Sequence, residues 1–368
     1  MGMIKQGKPQ ITVLEYILCI HTLQIASGIL IMPSSISTIA GTDGWISVIL
    51  GWGLTSIVGV CIVFLMHVHK EMTFHEILTL YFGKFIGGAL LICYAFYLAF
   101  VGFNTILRAI DIVKVWIFPS LPSYQIVILL LLPLFILAKH GVEAISKYNE
   151  VVFFLTICLP MALIFSLNNS FHPLNLLPVI KEGWKPIFIA TKETITPYAG
   201  LEIAYFLYPF LNRKDRAIQG ILIANTLTLT VFLYITLLCY VYLSPEGVKH
   251  LIWPVFHLLK GIQFGFLERF EIIYIAYYLF MFSTTVMPYI FFSTTSIQEV
   301  FKGLNHYSIL IVLAICMTYC VGYFHFNLHA LLEVYKFTDI LNMLFFIGMP
   351  MLLFLYTLLR GVLKRRCR

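Results

Sequence analysis

Apolar residues follow one another in long runs along this chain, and short polar breaks separate the runs. Most runs contain about twenty residues or more, enough for a helix to cross roughly 30 Å of hydrocarbon. The first run continues to about Ala40 without an obvious cleavage site, which favours a retained span over a signal peptide. The pattern predicts an all-α membrane protein with about ten spans, near 12–40, 45–68, 84–110, 124–139, 146–168, 186–211, 216–243, 270–298, 306–324 and 335–359.

The overall composition supports a membrane protein and excludes a water-soluble fold. Hydrophobic residues make up 60% of the 368 residues and charged residues only 11%, whereas soluble domains contain roughly 45–50% apolar and 25% charged residues. The cysteines lie mostly inside predicted spans, so they read as small apolar residues rather than as a disulfide framework. The net charge of +7 does not indicate a nucleic-acid partner, because the basic residues lie in short loops and near the C-terminus.

The distribution of basic residues predicts the orientation. Ten spans place both termini on one side, and that side carries Lys5, Lys8, Lys70, Lys84, Lys139, Lys147, Arg213, Lys214, Arg216, Lys302, Arg360, Lys364, Arg365, Arg366 and Arg368. The opposite side carries only Lys114, Lys181, Lys185, Lys249, Lys260, Arg269 and Lys336. Because basic loops stay inside, both termini are predicted to be cytoplasmic.

Two connections between spans, 69–83 and 244–269, are long enough to hold structure of their own. Each has apolar residues at helical spacing, which predicts a helix lying in the membrane interface, with an ordinary packed loop as the alternative. No linker of low complexity divides the chain, so residues 1–368 are predicted to form one permease-like domain. Its two repeats are expected at about 12–168 and about 186–359.

The first and sixth spans carry small residues, glycine and proline at their centres. The segments are Gln24–Pro33 and Thr194–Glu202, and their glycines Gly28 and Gly200 lie 172 positions apart, near half the chain length. Paired interruptions of this kind predict an inverted repeat of five plus five helices, with unwound segments that bind substrate. The predicted ligand-binding residues here are Ser27, Gly28, Gly200, Leu201 and Glu202. The alternative is that glycine and proline serve helix packing or kinks.

The eighth span contains a polar cluster. Thr285 and Tyr289 are four residues apart and therefore share a helix face that is predicted to contact the ligand. Ser283 and Thr284 are candidates for a small cation, although such hydroxyls also bond back to their own helix. Glu202 is the strongest candidate for a buried charge. It would cap a half-helix, accept a ligand ammonium, or pair with a basic residue.

No motif indicates an enzyme or a cofactor. Walker A, H-E-x-x-H and G-x-S-x-G patterns are absent from the sequence. His325, His329 and Glu333 follow helical spacing, but no second ligand cluster lies nearby in the sequence, so no metal site is predicted.

The segment Gln24–Pro33 resembles the first helix of the amino acid–polyamine–organocation superfamily. The stretches Pro197–Glu202 and Leu174–Val179, with the basic C-terminus, resemble the B subunits of spore germinant receptors. This resemblance implies a permease-like protein of the spore inner membrane that senses a nutrient such as an amino acid and assembles with an A subunit and a lipoprotein C subunit. It also implies a pocket at Gly28, Leu201, Thr285 and Tyr289, with Asn104 and Thr105 as additions.

Sensing and transport remain open at the level of the sequence. Proton-coupled relatives resemble one another in a mid-membrane lysine of the fifth span, but Val151–Pro160 contains no basic residue. Ser283, Thr284 and Thr285 resemble a sodium site in the eighth span, which leaves sodium coupling open. The leading hypothesis is therefore a nutrient-sensing B subunit. The alternatives are an ion-coupled secondary amino-acid transporter and a membrane scaffold with a degenerate pocket.

Overall fold

A computed structural model describes residues 10–26, 28–168, 170–262, 269–324 and 328–366. Nearly all of these residues are helical, and their β-type pairing is confined to an isolated bridge between Ile11 and Leu211. The α-helices of the first half are α1 Val13–Ile25, α2 Gly28–Ala40, α3 Gly44–Val68, α4 Phe74–Trp116, α5 Ser123–Leu137, α6 Gly141–Thr156 and α7 Cys158–Ala162. Those of the second half are α8 Trp184–Tyr198, α9 Ala204–Leu207, α10 Ala217–Leu243, α11 Pro245–Val248, α12 Pro254–Lys260, α13 Phe270–Val300, α14 His306–Tyr323, α15 Leu328–Leu341 and α16 Met349–Arg366. A π-helical segment, Asn342–Gly348, joins α15 to α16.

Seven helical stretches in the described part of the chain are long and apolar enough to cross a membrane. One of them, Gly28–Val68, contains both α2 and α3, while α1 and α5 are apolar helices of 13 and 15 residues. The sixth predicted span is divided between α8 and α9, so it does not form one long helix. Counting these segments, the helices correspond to the ten predicted spans.

The predicted amphipathic helix in the first long connection exists and forms the start of α4. Thr73 and Glu76 build a capping box at its N-terminus, and Gly83, with φ of 80°, separates it from the long span that follows. Its apolar face packs on the protein, where Phe74 stacks on Tyr205 with ring centroids 4.3 Å apart. The segment is therefore attached to the helix bundle.

The second long connection contains the short helices α11 and α12. Phe256 and Leu259, which the sequence places on an apolar face, are completely buried in the bundle, whereas Ile252 is 53% exposed. Ser37, near the end of α2, donates a hydrogen bond to the Pro245 carbonyl at 2.6 Å. This geometry favours the packed-loop alternative for residues 244–262 over a helix lying free in the interface.

The broken helices lie at the centre of the bundle. α1 packs on α6, α10 and α13, while α2 packs on α8, and α13 makes extensive contact with α4. Because each broken helix is surrounded by long helices, its freed backbone groups are kept away from lipid, as membrane-depth backbone requires.

Candidate functional site

Both predicted breaks are present and lie at their glycines. α1 ends at Ile25 and α2 begins at Gly28, so the first break lies between these two helices. α8 ends at Tyr198, and the chain passes through Gly200 in a left-handed conformation, φ 132°, into a 3₁₀ turn over Leu201–Ile203. Only glycine adopts that φ readily, which explains the residue at the second break.

The two breaks pack directly against each other. A Cβ atom placed on Gly28 would lie 2.7 Å from Cβ and 2.9 Å from Cα of Pro197. A Cβ placed on Gly200 would lie 2.7 Å from Cδ2 of Leu23. Each glycine thus provides the space that the opposite broken helix occupies.

Hydroxyl groups of α13 satisfy carbonyls that the first break frees. Thr285 donates to the Leu23 carbonyl at 2.9 Å. Tyr278 donates to the Ile25 carbonyl at 3.2 Å and also contacts the Ala26 carbonyl. Thr285 of the predicted polar cluster, together with Tyr278 outside that cluster, therefore holds the unwound backbone of the first span.

The second break is held by two side chains. Gln24 of α1 donates from Nε2 to the Tyr198 carbonyl at 2.7 Å, and its Oε1 accepts the Thr228 hydroxyl at 2.7 Å. The Gly200 N–H donates to Oε2 of Glu202 at 2.7 Å. These bonds connect the two breaks to each other and to α10.

The Glu202 side chain is completely buried and accepts hydrogen bonds from the backbone and from two tyrosines. Its Oε1 accepts the Tyr97 hydroxyl at 2.9 Å and the Tyr289 hydroxyl at 2.7 Å. Within the described residues, no basic nitrogen lies within ion-pair distance of its carboxylate. Of the roles that the sequence left open, this geometry favours capping of the broken helix.

A cavity of about 410 Å³ lies beside the two breaks. This volume falls in the range of small-molecule sites, roughly 300–1,000 Å³. Gly28 and Pro197 of the broken helices line it, and so do Trp253 of the 244–262 connection and Lys336, whose side chain is 71% exposed. The cavity therefore extends from the breaks toward the end of the bundle that carries this connection.

The cavity wall carries charges of both signs. Its basic residues are Arg108 and Lys336, and its acidic residues are Asp111, Glu193 and Asp339. The guanidinium carbon of Arg108 lies 3.8 Å from the ring centroid of Tyr335, a cation–π contact. Oδ1 of Asp339 accepts the Thr196 hydroxyl at 2.6 Å.

The predicted ligand-binding residues divide into two groups. Those that line the cavity are Gly28, Asn104, Thr105, Thr285 and Tyr289. Those that lie behind its wall are Gly200, Leu201 and Glu202, while Ser27 lies outside the described residues. Contact of any of them with a ligand stays a prediction, and the second group contributes by shaping the break.

The two candidate cation residues are engaged within the protein. Ser283 donates to the Phe280 carbonyl at 2.6 Å, and Thr284 donates to the Met281 carbonyl at 2.7 Å. The Thr284 carbonyl, whose helical partner Pro288 removes, accepts a hydrogen bond from Asn149 at 3.2 Å. Cation binding at Ser283 and Thr284 also stays a prediction.

Histidine, cysteine and acidic residues do not gather into a group of three suited to a metal anywhere in the described ranges. Glu333 pairs instead with Lys336 at 2.9 Å. His325 lies outside the described residues.

With this geometry in hand, comparison with known proteins identifies the family. A family model described as "Spore germination protein" matches residues 10–328. The chain belongs to this family. Spore germination protein GerQB of Bacillus cereus is 27% identical over 289 residues, 77% of each chain. Spore germination protein YndE of Bacillus subtilis is 27% identical over 303 residues, covering 80% of this chain and 82% of the relative.

Two solved transporters share the fold of this spore germination protein. The nucleobase-cation-symport-1 family transporter Mhp1, solved with bromovinylhydantoin, has a TM-score of 0.66 at 13% identity and covers 93% of this chain and 78% of its own. MhsT, solved in complex with L-phenylalanine, has a TM-score of 0.64 at 13% identity and covers 95% and 89%. These likenesses confirm the predicted fold class and concern the fold alone.

Sequence reasoning left several cavity residues of the spore germination protein unassigned. It gave no site role to Arg108, Glu193, Gln24 or Asp339. The available signal was a polar or charged residue inside a predicted span, which is expensive unless it serves a purpose. For Asp339, that signal was weakened by its position near the start of the predicted span 335–359, next to Thr338 and three residues after Lys336.

Replacing Thr285 with valine should destabilise the chain by about 1–3 kcal/mol, because the Leu23 carbonyl loses its donor in a buried position. Thr285→Ser keeps the hydroxyl and should lose less. Thermal unfolding of the purified chain in detergent measures the difference. Thr230→Val is the matched control, since the exposed Thr230 hydroxyl only bonds back to the Thr226 carbonyl of its own helix. Equal effects of Thr285→Val and Thr230→Val would contradict the proposed role of the hydroxyl.

Proposed function

We propose that this chain is the nutrient-sensing B subunit of a spore germinant receptor and that it binds a small nutrient, an amino acid best of all, beside the two breaks. The observation that carries the proposal is the cavity of about 410 Å³ that meets both broken helices in a chain of the spore germination family. Its wall combines apolar side chains with hydroxyl, amide and charged groups, the mixture that small polar ligands require. No enzymatic step is part of the proposal.

The arrangement of the breaks supports coupling between binding and a change of packing. Gly28 and Thr285 line the cavity. Gly28 also packs against Pro197 of the other broken helix, and Thr285 of α13 donates a hydrogen bond to the first broken helix. A ligand that contacts these residues better in one packing than in another shifts the balance between the two by its difference in affinity. That shift is the signal passed to the partner subunits.

The setting of the subunit follows from the family and from the charge pattern. We place the chain in the spore inner membrane with both termini in the cytoplasm, because the basic residues concentrate on the side of the termini. Its partners are the A and C subunits of the receptor and membrane lipid. Spore germination protein A2 of Bacillus subtilis is 26% identical over 332 residues, and membership in the spore germination family supports this proposal.

Germination of spores tests the proposal. Spores that lack the native copy are supplied with the wild-type chain or with Thr285→Ala, and each is exposed to single amino acids and single sugars. We expect the wild-type chain to restore germination with at least one nutrient and Thr285→Ala to raise the required concentration while receptor levels on immunoblots stay equal. Germination that is indifferent to deletion of the chain, for every nutrient tried, would refute the sensor function.

A second candidate is an ion-coupled secondary amino-acid transporter, which the fold shared with Mhp1 and MhsT favours. Uptake of labelled amino acids into vesicles that contain this chain alone separates the candidates. Sodium-dependent accumulation above the external concentration would establish transport. Saturable binding without accumulation supports sensing.

A further inference from the structure

Two buried polar atoms in the cavity wall have no hydrogen-bond partner among the described residues. Asn104 is only 4% exposed, yet its Oδ1 accepts no hydrogen bond from the described residues. Nε of Arg108, one helical turn further along α4, is buried and likewise lacks an acceptor there. Both residues line the cavity beside the breaks. A buried polar atom without a hydrogen-bond partner lowers the stability of the protein by about 1–3 kcal/mol. Both atoms therefore favour a ligand that supplies the missing hydrogen bonds.

The guanidinium of Arg108 interacts with Asp111 and Asp339 through space but has no direct ion-pair partner in the described part of the chain. Within the described ranges, no carboxylate oxygen lies within 4.0 Å of its guanidinium, although Asp111 and Asp339 line the same cavity. Its close neighbour is the Tyr335 ring, which contacts one face of the guanidinium and leaves the N–H edge for an acceptor. A planar guanidinium binds a carboxylate through parallel N–H bonds.

The spacing of the two groups fits one small molecule. Residues four apart on a helix share a face and are separated by about 6 Å along the axis. Asn104 Oδ1 requires a donor, and Arg108 requires an acceptor. An α-amino acid presents an ammonium and a carboxylate on the same carbon and so offers both. The three acidic residues of the wall, Asp111, Glu193 and Asp339, disfavour a ligand that carries negative charge alone.

We propose that Arg108 and Asn104 form the subsite for the carboxylate and the ammonium of a zwitterionic amino acid. The carboxylate is then held by a side chain of α4 rather than by the N-terminus of the half-helix α2. This assignment rests on the proposed sensor function and adds the residues that bind the two charged groups of the amino acid.

The test uses spores with the complete receptor and three kinds of probe: single L-amino acids, their α-carboxamides, and single sugars. Wild-type spores should respond to an amino acid and poorly to its α-carboxamide, which lacks the negative charge. Arg108→Gln should raise the required amino-acid concentration by about tenfold or more, as the loss of a charge-assisted hydrogen bond implies. It should also reduce the difference between the concentrations of amino acid and α-carboxamide that trigger germination. Arg108→Lys, which keeps the charge, should lie between the two.

Arg269→Gln is the matched control, because Arg269 is exposed, pairs with Glu271 and does not line the cavity. It should leave the acid preference unchanged. Unchanged sensitivity and preference in Arg108→Gln would overturn the subsite. A wild-type response to sugars alone would overturn it as well while leaving the sensor function standing, and germination independent of the chain would remove the sensor function itself. Immunoblots of the receptor and the Arg108→Lys variant separate a lost subsite from a lost fold.

Discussion

Replacing Gly28 with alanine should raise the nutrient concentration needed for germination by at least about tenfold and lower the stability of the chain by about 1–3 kcal/mol. The new Cβ would meet Cβ and Cα of Pro197 at 2.7 and 2.9 Å and the Phe232 ring at 3.4 Å. The atoms of Pro197 belong to a rigid ring and to the backbone, so the clash is relieved only if the two breaks move apart. That movement changes the shape of the cavity that Gly28 lines.

The control for this prediction is Gly53→Ala in α3. A Cβ at Gly53 meets no atom within 4 Å, and alanine in a helix interior is favoured over glycine by roughly 0.5–1 kcal/mol. The control should therefore fold at least as well as wild type and germinate at the same concentration. Thermal unfolding in detergent and germination dose–response curves measure both variants. If Gly28→Ala and Gly53→Ala show the same thermal stability and the same germination response, the close contact between the breaks is not needed for function.

Replacing Glu202 with alanine should destabilise the chain by roughly 3 kcal/mol or more, because several buried donors lose their acceptor at once. The Gly200 N–H and the hydroxyls of Tyr97 and Tyr289 all donate to this carboxylate. Tyr97 has a second acceptor in Asn342 Oδ1 at 3.0 Å, whereas the other two donors have no second acceptor among the described residues. Glu202→Gln retains an acceptor oxygen and should lose less stability.

Loss of the Glu202 carboxylate should also weaken ligand binding, because this carboxylate fixes Tyr289, which lines the cavity. The measurement is thermal unfolding of the purified chain together with receptor levels in spores. Glu143→Gln is the control, because Glu143 is exposed and pairs only with its helical neighbour Lys147; it should have no measurable effect. A stable, normally responding Glu202→Ala variant would show that the buried network does not hold the second break.

The parts of the structure that local chemistry determines could be predicted from the sequence. The breaks at Gly28 and Gly200 were predicted because glycine and proline weaken a helix wherever they occur, and the spans were predicted because hydrocarbon thickness fixes their length. Thr285 and Tyr289 were predicted to share a face because helical periodicity places them there. Each of these inferences uses residues only a few positions apart.

The remaining features depend on contacts between distant segments. Gln24 and the Tyr198 carbonyl are 174 positions apart, and Glu202 and Tyr97 are 105 apart. Sequence alone therefore left open whether Glu202 caps a helix, binds an ammonium or forms an ion pair. The missing partner of Arg108 was equally inaccessible, because it requires knowing that Tyr335, and not a carboxylate, lies over its guanidinium.

The most direct test of the central claim is equilibrium binding of a radiolabelled amino acid, chosen as the most effective trigger of germination, to the purified full-length receptor complex. We predict saturable binding by the wild-type and Gly53→Ala receptors and binding weakened by about tenfold or more in Gly28→Ala and Arg108→Gln. Equal binding by all four receptors, each shown to be folded and fully assembled, would contradict the claim that the cavity beside the two breaks is the nutrient site.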